Sequence, residues 1–287
     1  MSNHQYADWL KSGNDQIFFW HQLPINKSKN IAIIFIGPIG PEYMPCHRSI
    51  KLLASKLVLS GFHCIRYDPV GMGNSSGSLE DTDIWNKWVN TPYQLARYLQ
   101  NKFNIHEVIL IGLISGCLIL PEAQKKLVLK KVVFWYPELR GKKFIRGIQL
   151  LDSILYENSK LSDINTLEGG GYPFTAELQQ NIKKVDLTLN TYPDCEKALV
   201  INSKEAHKKS ILGMKLNSLG INTDSVGLNG LEEMIKQVTL SKIPHSSINY
   251  ICTWLNQLNL TEEQKLQINF ISSNNYTHSK YKETTLN

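Results

Sequence analysis

The stretch most able to carry chemistry is His106 to Leu120, HEVILIGLISGCLIL. It reads as a short buried strand, a tight glycine turn and the start of a helix. Such a turn can lift a nucleophile out of a sheet if a small residue stands two positions to either side of it. Gly112-Leu113-Ile114-Ser115-Gly116 has that spacing and puts Ile114 at the raised position. An aliphatic group there cannot attack a carbonyl. Ser115 could serve instead if the turn slips by one residue, which would give Leu113 the leading small-residue role. Cys117 is a further thiol, but it faces a helix interior with nothing nearby to lower its pKa. A second loop, Asp68-Pro69-Val70-Gly71-Met72-Gly73-Asn74-Ser75-Ser76-Gly77, follows a strand. Asp68 could pass for a catalytic acid, yet its reading is structural, fixing the glycine turn. GMGNSSG lacks the lysine of a phosphate loop and the full dinucleotide glycine spacing.

These loops need a frame. Ile31–Ile36, IAIIFI, is a continuous apolar run of strand length, suited to a strand covered on both faces. It ends in Gly37-Pro38-Ile39-Gly40-Pro41, which no regular element can continue. Strands are also expected at Gln16–Leu23, Phe62–Tyr67, Lys131–Tyr136 and Ala198–Ile201, with a last one at Gln237–Leu240. Arg48–Ser60 has one apolar helical stripe, and Gly61 sits where a helix ends. Ile84–Phe103 is a long amphipathic helix and His245–Leu258 a final one. From Glu138 to Asp194 the strand–helix rhythm lapses. That region holds helices near Phe144–Leu155 and Thr175–Val185, with Glu168-Gly169-Gly170-Gly171 between them, and reads as a cap inserted over the sheet end. Met1–Asp15 is polar and peripheral, and Leu260–Asn287 is a polar, loosely held extension. Strands alternating with helices predict a single α/β domain: a mostly parallel sheet, helices on both faces, and ligands at the carboxyl ends of the strands.

Composition narrows the function classes. The chain has 287 residues, 42% hydrophobic and 20% charged, with a formal net charge of +6. The positive excess is dispersed in pairs such as Lys125-Lys126 and Lys142-Lys143. No aromatic-interleaved basic stripe accompanies it, so no nucleic-acid partner is expected. The cysteines, Cys46, Cys64, Cys117, Cys195 and Cys252, lack CxxC spacing and imply no metal site. They suit reduced thiols in a cytoplasmic protein. No signal peptide and no membrane span are expected.

The succession of IAIIFIGPIG, LASKLVLSGFHCIRYDPVGMGNSSG, HEVILIGLISG and then His245 before the last helix resembles the α/β-hydrolase superfamily. The run Asp68 to Gly77 resembles its serine-aminopeptidase-like branch. His47-Arg48, RYDPVGMGNSSG, GLISGC and GYPFTAELQQNIKKVDL together resemble the hydrolase-fold proteins associated with exosortase and exopolysaccharide systems. The fold resemblance runs from about Ile31 to Leu258.

The resemblance implies a nucleophile place at Ile114, a histidine place at His245 and an acid place between Asn202 and Glu205, with Glu205 the carboxylate at hand. Ile114 departs from the family pattern. Oxyanion donors would be the backbone N–H groups of Ser115 and Ile39, since Pro38 has none. Two function classes follow. One is a hydrolase-like protein with a degenerate elbow that binds an acyl or ester-like ligand, or a partner, without efficient serine chemistry. The other is an active ester, thioester or amide hydrolase using Ser115 and His245. Neither implies a cofactor or a metal.

Overall fold

The computed structural model describes residues 4–155, 166–205, 210–258 and 278–279. An antiparallel hairpin, β1 (Gln5–Ser12) and β2 (Asp15–Gln22), opens the chain. Then come β3 (Ile31–Ile36), α1 (Tyr43–Leu59), β4 (His63–Tyr67), α2 (Ile84–Phe103), β5 (Glu107–Leu113), α3 (Leu120–Gln124) and β6 (Lys131–Trp135). The segment between β6 and the next sheet strand contains α4 (Gly141–Leu155), the small hairpin β7 (Leu167–Gly169) and β8 (Tyr172–Phe174), and α5 (Ala176–Lys183). The sheet resumes with β9 (Lys197–Ser203), α6 (Ile211–Ser218), β10 (Asn222–Leu228), α7 (Leu231–Met234) and α8 (His245–Gln257), and β11 (His278–Ser279) pairs with β1.

Strand order across the main sheet is β10-β9-β6-β5-β3-β4-β2-β1-β11. The six strands from β10 to β4 are parallel, and the β1–β2 hairpin joins antiparallel through β4. Every residue of β3, β5 and β6 is buried, as their unbroken apolar runs require. One face of the sheet carries Ile34, Leu110 and Phe134 against Trp85, Trp88, Leu95 and Leu99 of α2. The other carries Ile33, Ile109 and Val133 against Leu53 and Leu57 of α1 and Ile248 and Leu255 of α8. The sheet is thus covered on both sides, and the chain reverses at the carboxyl ends of the central strands.

Two expectations need correction. Gln237–Leu240 forms a turn and not the last strand, which is β10, Asn222–Leu228. β10 is an edge strand, half-exposed and polar in NTDSVGL, so it lacks the apolar run that marks the inner strands. Met1–Asp15 is not merely peripheral, because β1 extends the sheet and buries Asp8 and Leu10. Of the C-terminal extension only the two residues of β11 are among those described, and residues 156–165 of the Glu138–Asp194 stretch also lie outside them.

Candidate functional site

β5 ends at Leu113, and Ile114 turns the chain at φ +51°, in the left-handed region that a β-branched residue rarely enters. A 3-10 helix, Ile114–Ile119, follows at once. The close packing around this turn explains its glycines. A Cβ on Gly116 would sit 2.3 Å from the carbonyl oxygen of Gly37 and 2.4 Å from that of Ile36. A Cβ on Gly112 would meet the Cα of Cys117 at 2.9 Å. The turn therefore has its apex at Ile114, as the spacing of its small residues predicts, and Ser115 is one step beyond it.

Ser115 is fully buried. Its Oγ accepts a hydrogen bond from the N–H of Ile39 at 2.8 Å and lies 3.3 Å from the Ile39 carbonyl oxygen, to which it donates. The hydroxyl thus spans the gap between the elbow and the loop after β3. The Ile39 N–H, expected to be free as an oxyanion donor, is engaged by the side chain of the other candidate donor residue. Cys117 is also fully buried, and desolvation pushes its thiol well above the ordinary range, which removes the thiolate a nucleophile would need.

Ile114 lines a cavity of about 350 Å³ together with Tyr136, Glu138, Arg140, Lys143, Asn202 and Leu231. His245, the first residue of α8, lines a different and more open cavity of about 500 Å³ with Glu205, Asn229 and Gly230. Both His245 and Glu205 are exposed. The two cavities share Ser203 and Leu231. The fold thus gathers His245 and Glu205 at one opening and Ile114 at the next, while Ser115 lines neither.

Tyr136 was not legible as a site residue. It follows β6 at φ +52°, and its hydroxyl donates to the carbonyl of Asn229 in the loop after β10 at 2.8 Å. Its buried ring belongs to the same apolar cluster as Ile114 and Met234, with Leu231 and Ile243 packed against it. A second residue missed from sequence is Glu42, at the start of α1. Its Oε2 is buried without a hydrogen-bond partner among the described residues, and burial raises its carboxyl to about 7, with Glu138 adding to the shift. Asp68 plays the structural part expected of it. Its Oδ1 accepts from the Tyr43 hydroxyl at 2.5 Å and its Oδ2 from the Asn74 N–H at 2.8 Å. Among the described residues no cluster of His, Cys, Asp or Glu could hold a metal ion, and no helix is long and apolar enough to cross a membrane.

Solved structures supply the comparison. Est1E from Butyrivibrio proteoclasticus, seen with ferulic acid bound, superposes with a TM-score of 0.62 at 13% identity, over 86% of this chain and 97% of that one. The Pyrococcus furiosus esterase Pf2001 gives 0.60 at 11% identity, over 88% and 92%. An alpha-beta serine hydrolase homologue from Coxiella burnetii gives 0.52 at 15% identity, over 90% and 97%. The chain has the α/β-hydrolase fold. No family model and no curated protein matches the sequence. The turn after β5, the turn after β9 and the start of α8 bring Ile114, Glu205 and His245 to two neighbouring cavities that share Ser203 and Leu231.

Proposed function

We propose that this α/β-hydrolase-fold protein binds an acyl or ester-like ligand at the carboxyl edge of its sheet without efficient serine hydrolysis. The observation that carries this reading is the Ser115–Ile39 contact beneath an isoleucine apex. Acyl transfer needs a nucleophile, a base within hydrogen-bond reach of it, and free N–H donors for the developing oxyanion. Ile114 offers no nucleophile. The Ser115 hydroxyl is buried and committed to Ile39, and the imidazole of His245 faces another cavity.

A ligand site outlives the chemistry in this reading. The cavity at Ile114 keeps an apolar wall from Ile114, Tyr136 and Leu231, with Arg140 and Lys143 at its polar side. Arg140 is paired with Asp186 at 3.2 Å and Lys143 with Glu138 at 3.3 Å, so the lining suits an acyl body with a polar end. The motif resemblance to exosortase- and exopolysaccharide-associated proteins supports a place in polysaccharide metabolism. The reduced, largely buried cysteines support a cytoplasmic setting.

The test is hydrolysis of p-nitrophenyl acetate and butyrate by the purified protein. The expected rate is the buffer background, unchanged by Ser115→Ala or His245→Ala. If each of those substitutions lowers a clear enzymatic rate about a hundredfold, the alternative of an active hydrolase using Ser115 and His245 holds instead.

A further inference from the structure

At the carboxyl ends of β3 and β4, beside α1, lies a third cavity that the proposed function does not use. It encloses about 140 Å³ and shares no lining residue with the cavities at Ile114 and His245. Its walls are rings: Phe18 and Trp20 from β2, Phe35 from β3, Tyr43 from α1 and Tyr67 from β4. Its polar lining is Arg66, His47, Asp68 and Asn74.

The bonding of these groups is uneven. Both oxygens of Asp68 are taken by Tyr43 and Asn74. Arg66 makes one long side-chain hydrogen bond, from Nε to Gln22 Oε1 at 3.4 Å, and has no carboxylate partner within ion-pair distance among the described residues. Its terminal amino groups are left for the cavity. His47 stands edge-on to Tyr43 with ring centroids 4.4 Å apart, and neither ring nitrogen has a hydrogen-bond partner among the described residues. Burial holds this imidazole below its ordinary range, so at neutral pH it offers one N–H and one lone pair. The nearby Asp68 carboxylate favours the Arg66 charge without hydrogen-bonding to it, so the terminal guanidinium donors can still engage a planar anion.

We propose that this cavity is a binding site for a small planar monocarboxylate, its carboxylate on Arg66 and His47 and its apolar body among the rings of Trp20, Phe35 and Tyr43. The volume fits a body of about benzene size, since an apolar cavity of roughly 150 Å³ accepts benzene. The guanidinium fork matches the two-oxygen geometry of a carboxylate. The ring walls disfavour a fully hydrated tetrahedral anion, because phosphate would lose its water there without gaining matching donors.

Benzoate is the probe. Titrated into the isotope-labelled native chain, it is expected to shift the Trp20 indole and Arg66 side-chain NMR signals in a saturable manner and to leave those of Ile114 and Tyr136 in place. Benzamide, the neutral isostere, and inorganic phosphate should each bind at least tenfold more weakly. Arg66→Gln and His47→Asn, checked for native fold by circular dichroism, should each weaken benzoate binding tenfold or more. Saturable shifts in the native chain centred on Ile114 and Tyr136, no saturable shift at all, benzamide or phosphate binding as well as benzoate, or unchanged affinity in the folded Arg66 variant would each overturn the proposal. If the Arg66 variant does not fold, the His47 variant and the native-chain mapping decide it. Because Ser115 and His245 are untouched, the outcome is independent of whether the elbow hydrolyses esters.

Discussion

At Ile114 a β-branched side chain is held at φ +51°, a conformation usually kept only where surrounding structure forces it. In the proposed reading this turn is of the kind that lifts a nucleophile, while the side chain it carries is inert. Ser115 gives the neighbouring residue a structural task. Ser115→Ala would leave the Ile39 N–H buried and unsatisfied, so the variant should lose about 1–3 kcal/mol, read by chemical denaturation. A serine exposed for catalysis would be replaced at much smaller cost. Ile114→Ser restores a hydroxyl to the apex, yet the imidazole of His245 lines a separate cavity. The expected outcome in an ester assay is no gain over the native chain. The apex could be read from Gly112 and Gly116 because neither position has room for a side chain. The Ser115–Ile39 bond could not be read, since it joins residues 76 positions apart.

The elements that carry the site depend on close backbone approach. The 3-10 helix after β5 lies so near the end of β3 that a methyl on Gly116 would overlap two main-chain oxygens. Main chain cannot yield as a flexible side-chain tip can, so Gly116→Ala should cost about 3 kcal/mol or prevent folding, read by thermal or chemical denaturation. The Tyr136 hydroxyl ties the end of β6 to the loop after β10, and Tyr136→Phe should loosen that loop, seen as faster amide exchange around Asn229 and Gly230. At this scale legibility followed burial. IAIIFI, KVVFWY and ALVI announce themselves by unbroken apolar runs, whereas the half-exposed edge strand β10 carries Asn, Thr, Asp and Ser and was displaced onto Gln237–Leu240. β1 was missed for the same reason, since QYADWLKS alternates too weakly to stand out from a polar terminus.

Across the whole molecule, the order of strands and the covering of both faces were legible because alternating elements leave few right-handed ways to wind a parallel sheet. What sequence could not show is how buried polar groups are wired between distant strands. One such chain runs from Tyr98 to Tyr6 (2.8 Å), to His21 (2.9 Å), to His63 (3.1 Å) and to Ser28 (3.2 Å). Burial depresses His63 to about 4, and burial with the neighbouring His63 and Lys102 depresses His21 well below its usual value. An unfolded histidine takes up a proton near 6.5, so these groups contribute stability above that pH that is lost as pH falls toward 4. Glu42 acts with the opposite sign, since its raised carboxyl stabilises the fold at low pH and ceases to as pH rises through about 7. The two effects separate by subtraction. Relative to His63→Gln, the native chain should lose up to about 1.4 kcal/mol per pH unit between pH 6.5 and 4, and parallel curves would refute the assignment. The central claim, that this sheet presents an elbow without a working nucleophile, is tested most directly by incubating the purified chain with a fluorophosphonate serine probe. No covalent labelling is expected. Stoichiometric labelling that Ser115→Ala abolishes would contradict it.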